Sequence, residues 1–546
     1  MKGTSGVIQR NILILVICFI LFAVPHGPVL WAQETETDRT AEQVQPEEPD
    51  LELPAVVLEY TAIQREDLEV VLPGEDFIAL PELAAQLPQA ERMGIGSGAL
   101  DVPVPAQPEP ESIGATRFFS EGVIGGGTDN HLIGDIALYK RGDLPLFQFR
   151  FSHEGIDGYG DNSPGEGYFD RREELSGGLE LGTSDHSLRL DGDYLEKETG
   201  LQDFTGAVSV IHRFLSSSGE YRYKPGSPFS MTLSLDGHSG SQYIGAQERE
   251  RELYLDSRGA AAYEWERFLL GAGAEYSYQE APADRTLQQG ELYLETAFYG
   301  NRFDIGGKAG LHWDEENQFL FPWNLRLEGA AGEKWQYRLE GGYLVRDVLY
   351  RDLWDHYSLL AAGDMINVTR GWDASLYLGF TAGSRLRLGC EAGWSRLSGV
   401  PLPVDLDNRD AVSGLFLFTL GETEDVELET SAVFSFSETL ELKGSWTGLL
   451  LYDTERFDPA HRIAAALSYE HRGKGFGAGL NGEYRLEPAD SLPIIGAYLQ
   501  YRLSDGIQLV LDGSDLLGPF YEDGRPWWGE YESRGFHITL KTEISL

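Results

Sequence analysis

Residues 536–546, Phe536-His537-Ile538-Thr539-Leu540-Lys541-Thr542-Glu543-Ile544-Ser545-Leu546, decide how the rest of the chain is read. Phe536, Ile538, Leu540, Ile544 and Leu546 fall on one side of an extended strand, with Thr542 among them. His537, Thr539, Lys541, Glu543 and Ser545 fall on the other. Side chains on a strand point alternately to opposite faces, so this period of two gives one apolar and one polar face. A helix of the same sequence would spread its charges around the whole circumference.

The same alternation recurs upstream. Phe147, Phe149 and Phe151 oppose Gln148 and Arg150; Leu188, Leu190 and Tyr194 oppose Arg189, Asp191 and Asp193. Leu386, Leu388, Cys390, Ala392 and Trp394 oppose Arg385, Arg387 and Glu391, and Val426, Leu428, Ala432, Phe434 and Phe436 oppose Glu427, Glu429 and Ser435. Short turn signals near Thr183-Ser184-Asp185, Lys224-Pro225-Gly226, Gly300-Asn301, Gly332-Glu333, Arg472-Gly473-Lys474 and Asp505-Gly506 alternate with longer polar stretches such as 155–170, 238–250, 346–354, 453–460 and 513–534. Short turns on one rim and long loops on the other predict an all-β transmembrane antiparallel barrel of about 22 strands, with roughly 20–24 as the range. The alternation of turn lengths fits least well over 380–424, where a short turn falls on the long-loop side and a long loop, 397–409, on the short-turn side. Aromatic residues near run ends (Tyr299, Trp313, Trp323, Trp335, Trp354 and Trp394) fit interfacial girdles. A soluble sandwich or solenoid would have to hide its edges while repeating hairpins over some four-fifths of the chain.

The 88 acidic residues against 43 Lys and Arg give a formal charge of −45. Such a polyanion lacks the clustered basic residues that nucleic acid or anionic lipid requires, so nucleic acid is excluded as a partner. At the N-terminus, Lys2 and Arg10 precede the apolar run 12–24, and Leu30-Trp31-Ala32 offers a cleavage site before Gln33. Residues 1–32 therefore read as a signal peptide, too short in its apolar core to span a bilayer as a helix. With Cys18 in that leader, only Cys390 remains beyond it, and it reads as a small hydrophobe on a strand. Residues 33–115 hold 10 of the 25 prolines, 19 acids, three Arg and no Lys. They read as an acidic, Pro-rich, largely flexible periplasmic segment, followed by the barrel over 116–546.

The final residues 506–546 resemble the end of a TonB-dependent receptor barrel. Asp515-Leu516-Leu517, Tyr521 and Arg534-Gly535 occupy the places of that family's "NLL…Y" and "RG" segments before the closing strand. Gly125-Gly126-Gly127 and Asp157-Gly158-Tyr159 resemble the opening of the barrel. The resemblance implies that Phe536, Ile538, Leu540, Ile544 and Leu546 form the closing strand and assembly signal, although the family commonly ends in Phe or Trp and this chain ends in Leu546. It also implies that Ala55-Val56-Val57-Leu58-Glu59-Tyr60 is a TonB box, pairing by strand addition with an inner-membrane energy-coupling protein. The family fills its lumen with a plug of well over a hundred residues, and 33–115 is shorter. Either this segment, a separate plug chain or inward-folded loops must then narrow the pore.

The implied function is uptake of a small ligand across the cell outer membrane. The expected partners are outer-membrane lipid with its lipopolysaccharide-like surface, the barrel assembly machinery and an unidentified small ligand. A plugless passive diffusion channel, porin-like and preferring cations, is one alternative; a surface scaffold that binds a partner without transport is another. No catalytic constellation, cofactor site or metal site is discernible, so an enzyme is not expected. Gly477-Ala478-Gly479-Leu480-Asn481-Gly482 imitates a dinucleotide fingerprint but has no surrounding βαβ unit, and Asp405, Asp407, Asn408 and Asp410 read as a solvated acidic loop.

Overall fold

In a computed structural model, residues 117–546 are described except for short stretches, the longest of which are 363–367, 405–409, 452–458, 487–492 and 521–525. The expected signal peptide, the segment 33–115 with Ala55–Tyr60, Asn367, the acidic residues Asp405, Asp407 and Asn408, and Tyr521 lie outside the described residues.

Twenty-two long strands follow one another, each antiparallel to its chain neighbours. The first, Arg117–Gly127, also pairs with the last, His537–Ser545, in a register from Glu121↔Ser545 to Gly127↔Thr539. The last strand pairs on its other side with Ile507–Ser514. The terminal residue completes the seam: Leu546 N–H donates to Ser120 O at 2.8 Å, and Ser120 N–H donates to Leu546 O at 3.2 Å. The ring therefore has no free edge, which is the condition for a sheet to cross hydrocarbon.

The faces fall as the alternation predicts. Phe147, Phe149 and Phe151 point outward, as do Leu388 and Trp394, Phe434 and Phe436, and Ile538, Leu540 and Ile544; all are exposed, as a lipid-facing belt must be. The fingerprint-like 477–482 lies inside the strand Phe476–Leu486, and Cys390 is on the outward face of Leu386–Pro403. Near the short turns, Phe118 packs against Phe147, Phe268 against Phe298 and Trp335 against Phe380, while Tyr299 and Trp335 stay exposed. Toward the long loops, Trp323 and Tyr343 both meet Trp372 edge-on. These are the two girdles.

Four expectations need correction. Residues 238–250 are not a loop: Phe229–Ile244 and Gln247–Trp265 form a tall hairpin that turns about Gly245. Its polar residues His238, Gln242 and Glu252 face the barrel interior, where polarity marks an inner face. The strand Leu386–Pro403 runs through most of 397–409, so the turn at 383–385 falls on the short-turn rim and the chain leaves Pro403 on the long-loop rim. A bulge between Ser398 and Val400 lets it do so: Gly399 has φ +75°, and a Cβ there would meet Val368 O at 2.5 Å. Residues 346–354 are not a simple loop, and Trp354 is not a girdle residue. They belong to a segment that enters the barrel.

Strand length adds a second feature. Transmembrane strands need about 9–11 residues, but those between Phe169 and Tyr299 have 14–19. This arc rises past the bilayer on the long-loop side as an inner wall. Leu294, exposed on the outer face in mid-strand, and its inward neighbour Glu295 test the assignment of faces. Leu294→Arg is expected to cost roughly 2–4 kcal/mol and Glu295→Gln about 0.5 kcal/mol or less, read from denaturant unfolding of the protein folded into lipid vesicles.

Candidate functional site at the long-loop mouth

After the strand Trp335–Asp347, the chain turns inward and forms a short helix, Tyr350–His356. Its sequence explains the choice. Tyr350, Leu353, Trp354 and Tyr357 follow the i, i+3, i+4, i+7 spacing of an apolar helical face. Tyr350, Leu353 and Trp354 are buried, Trp354 completely. The helix has no capping side chain of its own, because Leu349 stands at the N-cap. The barrel wall supplies one: the Glu252 carboxylate accepts from Tyr350 N–H at 3.0 Å and from Arg351 N–H at 2.9 Å. A carboxylate there satisfies otherwise orphaned donors and favours the positive end of the helix dipole.

Two apolar clusters hold this segment over the lumen. In the first, Tyr350, Leu353, Trp354 and Leu360 pack on Leu195, Phe214 and Ala281 of the tall wall. In the second, Leu359, Leu415, Phe416 and Tyr531 meet Leu201 and Val210. Segments from three long loops thus converge on the raised arc. Backbone pairing ties them together, with Ala361 N–H donating to Phe416 O and Phe416 N–H to Leu359 O, both at 2.9 Å. Tyr531 Oη–H donates to Gly414 O at 2.7 Å. The Gln202 side-chain amide donates to Glu532 O and accepts from Glu532 N–H, each at 2.9 Å.

Wall side chains also bond three lid carbonyls, those of Val348, Asp355 and Leu360. Gln242 Nε2 donates to Leu360 O at 2.8 Å, and Gln279 Nε2 to Val348 O at 3.0 Å and Glu252 Oε1 at 2.7 Å. Lys197 donates to Asp355 O at 2.5 Å and forms an ion pair with its carboxylate. Asp347, where the strand ends, accepts from Tyr254 Oη at 2.8 Å and from Gln289 Nε2. Burial pushes the Asp352 carboxyl above its ordinary range, with His238 and Arg351 opposing. At the other side of the mouth, Arg534 pairs with Glu154 at 2.8 Å and Asp170 at 3.1 Å. Desolvation works against its charge, but the two carboxylates outweigh this and hold the guanidinium above its ordinary pKa.

Below the mouth the inner wall carries ion pairs, among them Arg150–Asp135, Lys308–Glu291 at 2.8 Å and Arg338–Glu391 at 3.3 Å. Half-exposed pairs of this kind contribute little to stability; they make the wall wet and polar. Among the described residues, no three His, Cys, Asp or Glu side chains converge as metal ligands. Ile538, Leu540 and Ile544 sit on the outer face of the closing strand, with Phe536 just before it and Leu546 at the seam. The structure brings these residues to the ring closure, not to the mouth. Sequence reasoning missed the mouth cluster, although the apolar spacing from Tyr350 to Tyr357 carried a signal for its helix.

No protein-family model matches the chain, and no curated protein matches it. Solved structures do. A variant of the ferric enterobactin receptor of Pseudomonas aeruginosa superposes with a TM-score of 0.60 at 10% identity, over 79% of this chain and 81% of that one. The copper transporter OprC gives 0.59 at 12% identity, over 80% and 81%. The FrpB iron transporter of Neisseria meningitidis gives 0.58 at 11% identity, over 80% and 82%. At these identities the likeness concerns the fold. The fold is the 22-strand barrel of the TonB-dependent receptor type, as the C-terminal motif suggested.

Glu252 is the most direct test of the lid. Hydrogen bonds to a charged group contribute about 1.5–3 kcal/mol, so Glu252→Leu is expected to speed tryptic cleavage after Arg351 by roughly ten- to a hundredfold, with Glu295→Gln cleaved at the wild-type rate. Equal rates in both variants would leave Glu252 no part in holding the lid.

Proposed function

We propose that this chain is an outer-membrane receptor and transporter that takes up a small ligand, with the long-loop mouth facing outside the cell. The apolar lid over that mouth carries the reading. A passive diffusion channel gains nothing from burying Tyr350, Trp354, Phe416 and Tyr531 across its entrance. A receptor does: its loops can seal the lumen and present a binding surface at the same time. Both chain ends of the barrel lie on the short-turn rim, where Arg117 begins and Ser545 ends the ring. The chain before Arg117 joins the ring on this rim, which is the periplasmic one in this reading, the side on which an energy-coupling protein would engage the TonB-box-like Ala55–Tyr60. The neighbours named for ferric enterobactin, copper and iron support the class of function.

The test has two arms. In planar bilayers, the full chain lacking only its leader should conduct weakly, and deletion of 349–361 should raise conductance sharply with a preference for cations. A large, steady conductance from the undeleted chain would instead favour a diffusion channel. In cells, Val57→Cys should cross-link to a cysteine-bearing energy-coupling protein, and Val57→Pro, which removes a main-chain donor, should abolish uptake while leaving the barrel in the membrane. Uptake indifferent to Val57→Pro would remove energy coupling through this segment.

A further inference from the structure

The raised wall puts two cations side by side. Arg172 and Lys197 are register partners on the strands Phe169–Gly182 and His186–Gly200. Like charges directly opposite one another destabilise a sheet. Their neighbours in the same row do little to relieve them. Glu154, beside Arg172, is engaged by Arg534 at 2.8 Å, and His212, beside Lys197, is held neutral by burial, its pKa pushed down to about 3. Glu174 meets Arg172 at 3.3 Å. Lys197 has one carboxylate partner among the described residues, and it comes from the lid. Asp355 pairs with Lys197 and stands 3.8 Å from Arg172.

Asp355 is poorly placed for its own helix. It lies in the last turn of Tyr350–His356, where free carbonyls present the negative end of the dipole and a carboxylate is unfavourable. The wall explains its position instead. Burial lowers the pKa of the Lys197 ammonium below its ordinary value, and Asp355 is the largest influence opposing this.

Beside the two cations lies a cavity of about 570 Å³, lined also by Ser533, Arg534 and His537 from the last loop and strand. An entering molecule can reach the paired groups: the Arg172 side chain is 42% exposed and that of Asp355 44%, while Lys197, at 16%, lies deeper. A carboxylate or phosphate group presents the same kind of acceptor oxygens as Asp355. It can take the place of Asp355 and leave neither cation without a counter-charge. A neutral or cationic molecule that moved Asp355 aside would leave Lys197 half-buried and unpaired, which is costly.

We propose that Arg172 and Lys197 form the recognition site for an anionic group of the ligand, a carboxylate or a phosphate, and that Asp355 occupies this site as an internal stand-in until the ligand displaces it. The inference rests on the reading of the long-loop mouth as the ligand-binding face, and it goes further by naming the ligand's charge and the route by which binding reaches the lid. Exchange of partners at Lys197 unties the C-terminal end of the lid helix. Glu252 still holds the N-terminal end, so release begins at Asp355.

Calorimetric titration of the full chain in detergent tests this, with citrate and inorganic phosphate as probes, sucrose as a neutral control and putrescine as a cationic one. At least one of the two anions is expected to bind, more weakly as salt is raised, and the tighter of the two names the group. Asp355→Asn removes the competing charge and is expected to tighten that binding by roughly tenfold. Adding Lys197→Met to Asp355→Asn, which strands no carboxylate, is expected to weaken it tenfold or more relative to Asp355→Asn alone. Strand-rich circular dichroism shows that each variant is folded. In the parent chain, bound anion is expected to speed amide hydrogen exchange over 355–361. The proposal is overturned if neither anion binds Asp355→Asn, if Asp355→Asn binds no tighter than the parent, or if the double variant keeps the binding. Unchanged exchange over 355–361 with anion bound, or binding of sucrose or putrescine alone, overturns it as well. The assay requires no transport, so its failure leaves the uptake reading standing; anion binding by a chain that imports nothing would leave the site and remove the transporter.

Discussion

Hydrocarbon offers no hydrogen-bond partner to a peptide group, and every unpaired N–H or C=O placed there costs several kcal/mol. This requirement shapes the whole barrel. It obliges the first strand to find the last, more than four hundred residues away in sequence, and it makes the Glu121–Gly127 seam with Thr539–Ser545 as necessary as any hairpin. Once the ring is closed, the pleat assigns each side chain to lipid or to the lumen. Ile538 and Leu540 then belong to the membrane, while Thr539 and Lys541 belong to the interior.

The mouth follows from the same constraint, one step removed. Strands longer than a bilayer needs raise an arc of wall above the membrane, where the inner face need not be fully wet. Leu195 and Phe214 on that arc offer an apolar seat, and Glu252, Gln242 and Gln279 offer the polar partners that a returning segment needs. The seven-residue helix is too short to be stable by itself. It exists because the wall buries its apolar face and caps its N-terminus. The lid is therefore a tertiary feature, held by contacts distant in sequence.

That origin explains what the sequence made legible. The alternation in Phe147–Phe151 or Phe536–Leu546 reports a local property, the period of a strand in contact with lipid, so a closed barrel of about 22 strands could be read, though not the exact bounds of its strands. Glu252 could not be placed that way. It meets Tyr350 across 98 positions, and the neighbouring 238–250 looked like a polar loop because an inward-facing strand above the membrane is equally polar on that face. Trp354 was misassigned for a related reason. An aromatic residue at the end of an apolar run suits a girdle as well as a buried lid, and only the spacing with Tyr350, Leu353 and Tyr357 distinguishes them.

Ring closure is tested most directly at the seam. Val123 and Glu543 are register partners on the first and last strands. In a Cys390→Ser background, oxidation of the Val123→Cys, Glu543→Cys double variant folded into vesicles should link the two ends of the chain within one molecule, and the product should keep the strand-rich circular dichroism of the parent. If both thiols react freely with a soluble alkylating reagent and no intramolecular link forms, the sheet is open at that seam and the account is wrong.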